Sequence, residues 1–244
     1  LSYCGKVYTR EDLISKVEEY IKRFNKMKIT RGDIVSFMML NNPDIIFMWF
    51  ALSKLGATAN LIKFDEAEDR IKDILVKTKS KYFFITDVPL ITKKVSKGTK
   101  EVDTLDSIIC MSLFEELSGI QKLNMLMGNA KGKVQSNNLK LIYKELENIL
   151  TDMKRQESES NSYKIDKRFM SFKDFMKLTN GGKLLNKPMG IGSDTSVIVY
   201  TGGTTGNAKG VPLSNINLNS SAYGFKLGDL GFDVGKTSMS ILPP

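Results

Sequence analysis

The sequence predicts an α/β protein in which a mostly parallel sheet is flanked by helices. Between residues 9 and 85, segments with apolar residues at helical spacing alternate with short, continuously apolar segments, and the links between them are short. This alternation is typical of parallel strands joined by helices, because a strand buried on both faces has apolar residues at consecutive positions. The chain has 244 residues, of which 41% are hydrophobic, and this suffices for one large domain.

The first helix and the first long strand are predicted from a start signal and a break. Thr9-Arg-Glu-Asp12 has the spacing of a capping box, in which two side chains satisfy free amides at a helix start. Gly32-Asp33 ends the helical pattern, and Ile34–Leu40 then predicts a buried strand. The apolar face of the predicted helix comprises Leu13, Val17, Ile21, Phe24 and Met27.

The second helix has signals at both of its ends. Asn42 can cap its start, Pro43 suits its first turn, and Gly56 is expected to end it after about Leu55. The same patterns predict three further elements, which are a strand over Ala57–Ile62, a helix over Asp65–Lys79 and a strand over Tyr82–Ile85.

The middle of the chain, about residues 86–190, is polar and rich in Lys, Asn and Ser. We interpret it as an insertion or lid-like excursion within a single domain spanning residues 1–244. Clear patterning returns at Ser196, where a strand is expected to lead through a loop into a helix from about Ser214. Elements are also predicted over Leu105–Cys110 (strand), Leu139–Met153 (helix), Ser171 through Thr179 (capped helix), Val197–Tyr200 (strand) and Thr237–Leu242 (strand).

The composition excludes several classes of site. The chain contains no histidine, so a Ser-His-Asp triad, a Cys-His dyad and an HExxH zinc site are excluded within it. Cys4 and Cys110 lack CxxC spacing, which favours a reducing, cytoplasmic setting. The apolar run Ile45–Leu52 is far shorter than the ~20 residues of a membrane span. The net charge of +9 comes from residues spread along the chain without a nucleic-acid reader motif, so the predictions are no membrane span and no nucleic-acid partner.

The segment Val199–Val211 has the composition of a phosphate-binding loop. Its glycines let backbone N–H groups approach a ligand closely, its threonines add hydroxyl donors, and its lysine adds a positive charge. The spacing fits neither the Walker A motif nor the dinucleotide fingerprint. The predicted phosphate-binding residues are Thr201, Gly202, Gly203, Thr204, Thr205, Gly206 and Lys209.

Residues Tyr200–Val211 closely resemble the phosphate-binding signature of the adenylate-forming superfamily, to which acyl-CoA synthetases belong. That signature is approximately Tyr-Thr-Ser/Gly-Gly-Thr-Thr-Gly-x-Pro/Ala-Lys-Gly-Val, and every position of it is met. Asn215 departs from the Thr-His-x-Asn that often follows, and we expect the asparagine to make an equivalent cap or polar contact. The resemblance extends to Tyr8–Leu13, Arg31–Val35, Asn42–Pro43 and Phe50–Ala57.

This resemblance implies an ATP-dependent, carboxylate-activating ligase of the acyl-CoA synthetase type. A carboxylate would attack the α-phosphorus of Mg-ATP and release pyrophosphate, and coenzyme A would then take the acyl group from the acyl-adenylate. The implied ligands are ATP with Mg²⁺, coenzyme A and a small carboxylic acid, fatty acids among them. By position, the seven loop residues would hold the β- and γ-phosphates, and the resemblance places no catalytic residue and no metal ligand in this chain.

Members of this superfamily are usually much longer. The chain is therefore expected to be a truncated, N-terminal part of the AMP-binding domain, without the mobile C-terminal domain. The alternative is a nucleotide-binding or regulatory relic that retains the loop without catalysis. Carboxylate-dependent exchange of pyrophosphate into ATP separates these two interpretations.

Overall fold

The structure of the chain is a computed structural model. It describes residues 1–3, 6–111, 166–178, 188–201 and 209–228. The helix predicted over Leu139–Met153 and the strand predicted over Thr237–Leu242 lie outside these residues.

The described residues form strands and helices that we number in chain order. The strands are β1 (Ser2–Tyr3), β2 (Lys6–Val7), β3 (Ile34–Met38), β4 (Thr58–Leu61), β5 (Tyr82–Thr86), β6 (Ser107–Met111), β7 (Phe169–Ser171), β8 (Thr195–Tyr200) and β9 (Gly210–Ser214). The helices are α1 (Arg10–Lys26), α2 (Pro43–Leu55), α3 (Glu68–Thr78), α4 (Pro89–Gly98), α5 (Phe172–Met176) and α6 (Asn215–Leu227).

Seven of the strands form one sheet, in the order β7-β6-β5-β3-β4-β8-β9. Neighbouring strands are parallel except for β8 and β9, which pair antiparallel. The predicted α/β class with a mostly parallel sheet is therefore confirmed. Because the parallel strands run in one direction, their carboxyl ends lie along one edge of the sheet, where ligands of open α/β sheets bind.

Helices cover both faces of this sheet. Apolar residues of α1, α2 and α5 form one buried cluster with β3 and β5, and those of α3 and α4 form a second cluster on the other face. At the centre of the first cluster, the Phe84 ring lies 5.4 Å from that of Phe37, 5.2 Å from that of Phe175 and 6.2 Å from that of Phe24. Burial of these large rings is the main stabilising term for the sheet.

The helix ends confirm three predicted signals. Thr9 Oγ1 accepts a hydrogen bond from the Asp12 amide at 3.1 Å, and Asp12 Oδ2 accepts one from the Thr9 amide at 2.9 Å. Asn42 Oδ1 accepts a hydrogen bond from the Asp44 amide at 2.6 Å. Gly56 ends α2 with a φ of 72°, a left-handed conformation in which a Cβ is unfavourable.

Two predicted helices are shorter in the structure. The apolar spacing predicts a start at Asp65, but α3 begins at Glu68, after an Ala67 that makes no side-chain capping bond. Ser171 caps α5 as predicted, through a hydrogen bond of 3.1 Å from the Asp174 amide. This helix ends at Met176 rather than continuing through Thr179, a residue that lies outside the described part of the chain.

Five elements were not among the predictions, namely β1, β2, α4, β7 and β9. The helix α4 follows Val88, which makes no side-chain capping bond, so its start carries only a proline as a signal. The strands β1, β2 and β7 have two or three residues each, too few for an alternating pattern. The strand β9 is mostly exposed and contains Pro212, which is typical of a sheet edge.

The segment interpreted as an insertion contributes strands to the sheet. Within residues 86–190, β6 pairs with β5 and β7 pairs with β6. Phe172 and Phe175 of α5 are buried in the first core cluster. Residues 89–111 and 166–176 are thus part of the sheet and its helical layers, while the bounds of an insertion stay a prediction.

Candidate functional site

The two ends of the candidate phosphate loop meet at the tip of the β8–β9 hairpin. The Thr201 amide donates to the Lys209 carbonyl oxygen at 3.0 Å. The Lys209 amide donates to Thr201 Oγ1 at 3.1 Å. These two bonds continue the ladder that pairs Tyr200 with Gly210, so the hairpin holds the ends of the loop side by side.

The hairpin tip lies at the edge of the sheet where ligands of this fold class bind. The strand β8 runs parallel to β4, with Ala59 opposite Val197 and Asn60 opposite Ile198. Thr201 follows the last residue of β8 and therefore lies at the carboxyl end of the parallel strands. The order of strand, loop and helix agrees with the prediction, with β9 as an additional strand before the helix, and the two ends of the loop lie at this edge.

The structure describes two of the seven predicted phosphate-binding residues, Thr201 and Lys209, and both are exposed. Gly202, Gly203, Thr204, Thr205 and Gly206 lie outside the described residues, so their role stays a prediction. A hydroxyl that accepts one hydrogen bond can still donate one, so Thr201 can donate to an anionic oxygen. Lys209, whose backbone amide contacts that hydroxyl, is exposed and carries the positive charge that suits a phosphate group.

Tyr200, the last residue of β8, is held by a buried partner. Its hydroxyl donates to Asn60 Oδ1 at 2.9 Å. Burial raises the pKa of the Tyr200 phenol. A Cβ at Gly210 would lie 3.1 Å from the Tyr200 ring, so the glycine on β9 leaves room for the aromatic side chain.

The helix after the hairpin is capped and tied to α2. Ser214 Oγ accepts from the Asn217 amide at 3.1 Å, and Asn217 Oδ1 accepts from the Ser214 amide at 2.9 Å. Asn215 Oδ1 accepts from Ser53 Oγ at 2.6 Å, and Asn215 Nδ2 donates to the Ile191 carbonyl oxygen at 3.2 Å. The asparagine thus makes the polar contacts that we expected of it, and they connect α6 to α2.

A cleft of about 320 Å³ lies at the opposite edge of the sheet, where β3, β4 and β8 begin. Arg31 and Asp194 both line it, and Arg31 donates to Asp194 Oδ1 at 2.7 Å. The hydrogen bond from Arg31, with a further one from the Ile191 amide, holds the pKa of Asp194 below its usual value. Because this cleft and the hairpin tip lie at opposite ends of β8, the cleft is not part of the candidate phosphate site.

Asn60, the buried residue that contacts Tyr200, was not among the predicted site residues. Its side chain has no solvent exposure. A signal was present, since an asparagine stands at the centre of the apolar strand Ala57–Ile62, where a side chain is expected to be buried.

The described residues contain neither a metal-binding cluster nor a membrane-spanning helix. No cluster of three or more Cys, Asp or Glu side chains there is arranged to hold a metal ion. Within the same residues, every helix is too short or too polar to cross a membrane.

Comparison with known proteins gives one family match over nearly the whole chain. The family model described as "AMP-binding enzyme" matches residues 2–244. This match spans the hairpin, both helical layers and the seven-stranded sheet described above.

Several curated proteins are similar to the chain. Probable 4-coumarate–CoA ligase 1 of Dictyostelium discoideum is 21% identical over 243 residues, which are 98% of this chain and 36% of that protein. Probable 4-coumarate–CoA ligase 3 of the same organism is 22% identical over 222 residues, 89% of this chain and 32% of that protein. Long-chain fatty acid transport protein 6 of Mus musculus is 40% identical over 55 residues, 22% of this chain and 9% of that protein.

The chain is much shorter than the proteins it matches. It spans about a third of the length of the two ligases, which it matches along 89% and 98% of its own residues.

Proposed function

The chain belongs to the AMP-binding enzyme family, and from this premise we propose that it is the N-terminal part of an ATP-dependent, carboxylate-activating ligase. Its part in that reaction is to hold the β- and γ-phosphates of Mg-ATP at the tip of the β8–β9 hairpin. The observation that carries the proposal is the pairing of Thr201 with Lys209 at the carboxyl edge of the parallel sheet.

The charge of Lys209 supplies the main electrostatic term at this site. Two unit charges 4 Å apart attract by about 4 kcal/mol at an effective dielectric constant near 20. Hydrogen bonds to charged groups contribute about 1.5–3 kcal/mol each. Both terms favour a polyphosphate at this edge, and because Thr201 and Lys209 are exposed, solvent screening reduces each of them.

The chemistry assigned to the ligase is the formation of an acyl-adenylate. A carboxylate oxygen attacks the α-phosphorus of ATP, the bond from that phosphorus to the bridging oxygen breaks, and pyrophosphate leaves with the electron pair. Mg²⁺ would arrive with ATP and offset phosphate charge. Lys209 and Thr201 hold the departing oxygens, and this is electrostatic stabilisation by preorganised groups.

The acyl acceptor and the acid are assigned from the relatives. Two relatives are named as CoA ligases, which favours coenzyme A as the thiol that takes the acyl group. The name of the third favours fatty acids as one substrate class to test, beside aromatic acids. A cytoplasmic location stays a prediction from the cysteine content.

The first experiment measures Mg-ATP binding to the 244-residue chain by calorimetry. We expect saturable binding that Lys209→Ala weakens about 10-fold or more, the loss typical of one hydrogen bond to a charged group. Lys26→Ala is the matched control, because Lys26 is an exposed lysine at the end of α1, far from the hairpin tip. Equal affinity of the wild type and Lys209→Ala would contradict the role given to this lysine.

The second experiment measures carboxylate-dependent exchange of pyrophosphate into ATP by the longest native form of the protein. Exchange that depends on a fatty or aromatic acid and is reduced by Lys209→Ala would support the ligase. Mg-ATP binding without exchange with any acid would instead favour the nucleotide-binding alternative.

A further inference from the structure

The last two residues of β8 extend past the strand that supports them. Within the described residues, the ladder between β4 and β8 pairs Ala59 with Val197 and Asn60 with Ile198. Val199 and Tyr200 continue beyond it and pair only with β9, an edge strand whose residues are exposed or half-buried. The backbone ladder alone therefore leaves the strand end that carries Thr201 weakly attached to the body of the sheet.

A side-chain hydrogen bond supplies the missing attachment. The Tyr200 hydroxyl donates to Asn60 Oδ1 at 2.9 Å, which joins the end of β8 to the middle of β4. Asn60 is fully buried, and Tyr200 packs against the second core cluster, below α3 and α4. A hydrogen bond in such surroundings resists competition from water.

Asn60 is itself held by a chain of buried hydroxyl groups. Its Nδ2 donates to Ser36 Oγ at 2.8 Å, and Ser36 Oγ lies 2.6 Å from Ser80 Oγ. Ser80 Oγ lies 2.7 Å from Thr78 Oγ1, which donates to the Ile74 carbonyl oxygen at 2.8 Å. Each hydroxyl can donate only one hydrogen bond, and that of Thr78 goes to the Ile74 carbonyl oxygen. Ser80 therefore donates to Thr78, and Ser36 donates to Ser80. Every bond in this chain is thus donated away from Asn60, toward the end of α3.

The two polar atoms of the Asn60 side chain therefore make hydrogen bonds of opposite direction to different partners. The oxygen accepts from Tyr200, and the nitrogen donates to Ser36. An aspartate would lack the donor, and a leucine of similar size would lack both groups. The position requires an amide, and this requirement has no explanation in apolar packing, which a leucine would satisfy better.

We propose that Asn60 is a positioning residue that, through Tyr200, sets where the hairpin tip with Thr201 and Lys209 lies relative to the sheet. The use of that tip for phosphate binding rests on the function proposed above. Asn60 itself touches neither nucleotide nor acid in this proposal, and it acts by fixing the strand end from which the loop begins.

The test compares Tyr200→Phe and Asn60→Leu with Ser80→Ala as a matched control. Ser80→Ala removes a buried hydroxyl from the same network but leaves the contact between Tyr200 and Asn60 in place. Amide hydrogen exchange in the 244-residue chain is followed by NMR at Thr201 and Lys209. The amide of Phe84 in β5 reports on global opening at the same time.

We expect Tyr200→Phe to lower the protection of the Thr201 and Lys209 amides about two- to tenfold relative to Phe84, the effect of one neutral hydrogen bond. Asn60→Leu should lower it at least as much, and the double variant no more than the worse single variant. Ser80→Ala should change this ratio less than about twofold, because both hydrogen bonds of the Asn60 side chain stay in place.

The proposal is overturned if Tyr200→Phe leaves the ratio unchanged, or if all three single variants reduce protection equally at the tip and at Phe84. Should Asn60→Leu fail to fold, Tyr200→Phe decides alone, since it removes one hydroxyl and keeps the ring. Calorimetry with Mg-ATP then separates the two proposals. If the wild type binds no nucleotide, the proposed function is contradicted. The role of Asn60 is still decided by the amide protection of Thr201 and Lys209 relative to Phe84.

Discussion

The centre of the sheet and the β8–β9 hairpin differ most in how much of each is buried. All five residues of β5 are buried, whereas β9 has three exposed and two half-buried residues. The helices show the same contrast, since eight residues of α2 are buried and none of α6. Apolar burial therefore stabilises residues 10–111, while the candidate phosphate site lies on an exposed element that this body supports.

The two regions are joined by a small apolar contact, in which Val197, Val199 and Leu213 pack against the first core cluster, and by polar contacts. Trp49 Nε1 donates to Ser196 Oγ at 2.8 Å, and Ser53 Oγ donates to Asn215 at 2.6 Å. Such contacts orient the hairpin but add little free energy, so the hairpin is expected to open more readily than the sheet centre. Elements that bind and release ligands are commonly of this kind.

The largest effect is expected at the sheet centre. Phe84→Ala should lower the free energy of unfolding by about 3–5 kcal/mol, because it removes a buried ring from a cluster of aromatic side chains and leaves a cavity. Urea unfolding followed by the fluorescence of Trp49, the single tryptophan, measures it. A loss below about 1 kcal/mol would contradict the assignment of the main stabilising core to this region.

A smaller effect is expected where the two regions meet. The amides of Met189 and Gly190 donate to the Lys54 carbonyl oxygen at 2.9 and 3.1 Å, and a Cβ at Gly190 would lie 2.1 Å from the Ser53 carbonyl oxygen. Gly190→Ala should therefore cost about 1–3 kcal/mol in unfolding free energy.

Gly224→Ala is the matched control for this junction. Gly224 lies in α6, and nothing lies within 4 Å of the position that its Cβ would take. This variant should stabilise the chain by up to about 1 kcal/mol, since alanine is the better helix former. Equal effects of the two substitutions would show that the junction is not close-packed.

Removing the Tyr82 hydroxyl should lower the free energy of unfolding by about 1 kcal/mol, because this buried hydroxyl donates to the Met27 carbonyl oxygen. The size of this effect is expected to depend on pH. Burial, with the carboxylates of Asp106 and Asp33, raises the pKa of Tyr82 to about 12. The folded state therefore holds the Tyr82 proton more tightly than the unfolded state, in which the pKa is about 10. The stability that Tyr82 contributes is fully present below pH 10 and is lost as the pH rises toward 12.

Tyr82→Phe provides the measurement. The variant should be less stable than the wild type at pH 7, and the difference should shrink when unfolding is measured above pH 10. A difference that stays constant up to pH 11 would contradict the raised pKa.

The smallest effect is expected on the exposed helix. Leu227→Ala in α6 removes a side chain that is 69% exposed, so the free energy of unfolding should change by less than about 0.5 kcal/mol. The same urea experiment measures it. A loss above about 1 kcal/mol would mean that α6 is covered in solution, and the contrast between the two regions would then disappear.

The elements that sequence patterns predicted well are those with local signals. The capping residues Thr9 and Asn42 and the stop at Gly56 act within one helical turn, so their effect can be recognised without knowledge of the fold. The strand β5 was predictable because it is apolar at nearly every position. The loop between Thr201 and Lys209 could be recognised from its composition, because glycine backbone and threonine and lysine side chains suit phosphate directly, and its use for phosphate stays a prediction.

The elements that were missed depend on partners far away in the sequence. Phe169–Ser171 forms the strand β7 because it pairs with β6, and Gly210–Ser214 forms the strand β9 because it pairs with β8. Neither has an apolar run of its own. In the same way, Asn60 becomes a candidate positioning residue only because Tyr200 lies 140 positions later in the chain and reaches it in space.

The sequence by itself determined the α/β class, the helix ends that carry a capping residue or a glycine stop, and the loop composition, because each depends on residues a few positions apart. The tertiary structure alone decided the strand order, the antiparallel edge strand and the buried polar contacts from Tyr200 to Ser80. Those features depend on which distant segments become neighbours, and many alternative pairings satisfy the same local patterns. Only the packing of both helical layers on the sheet selects one of them.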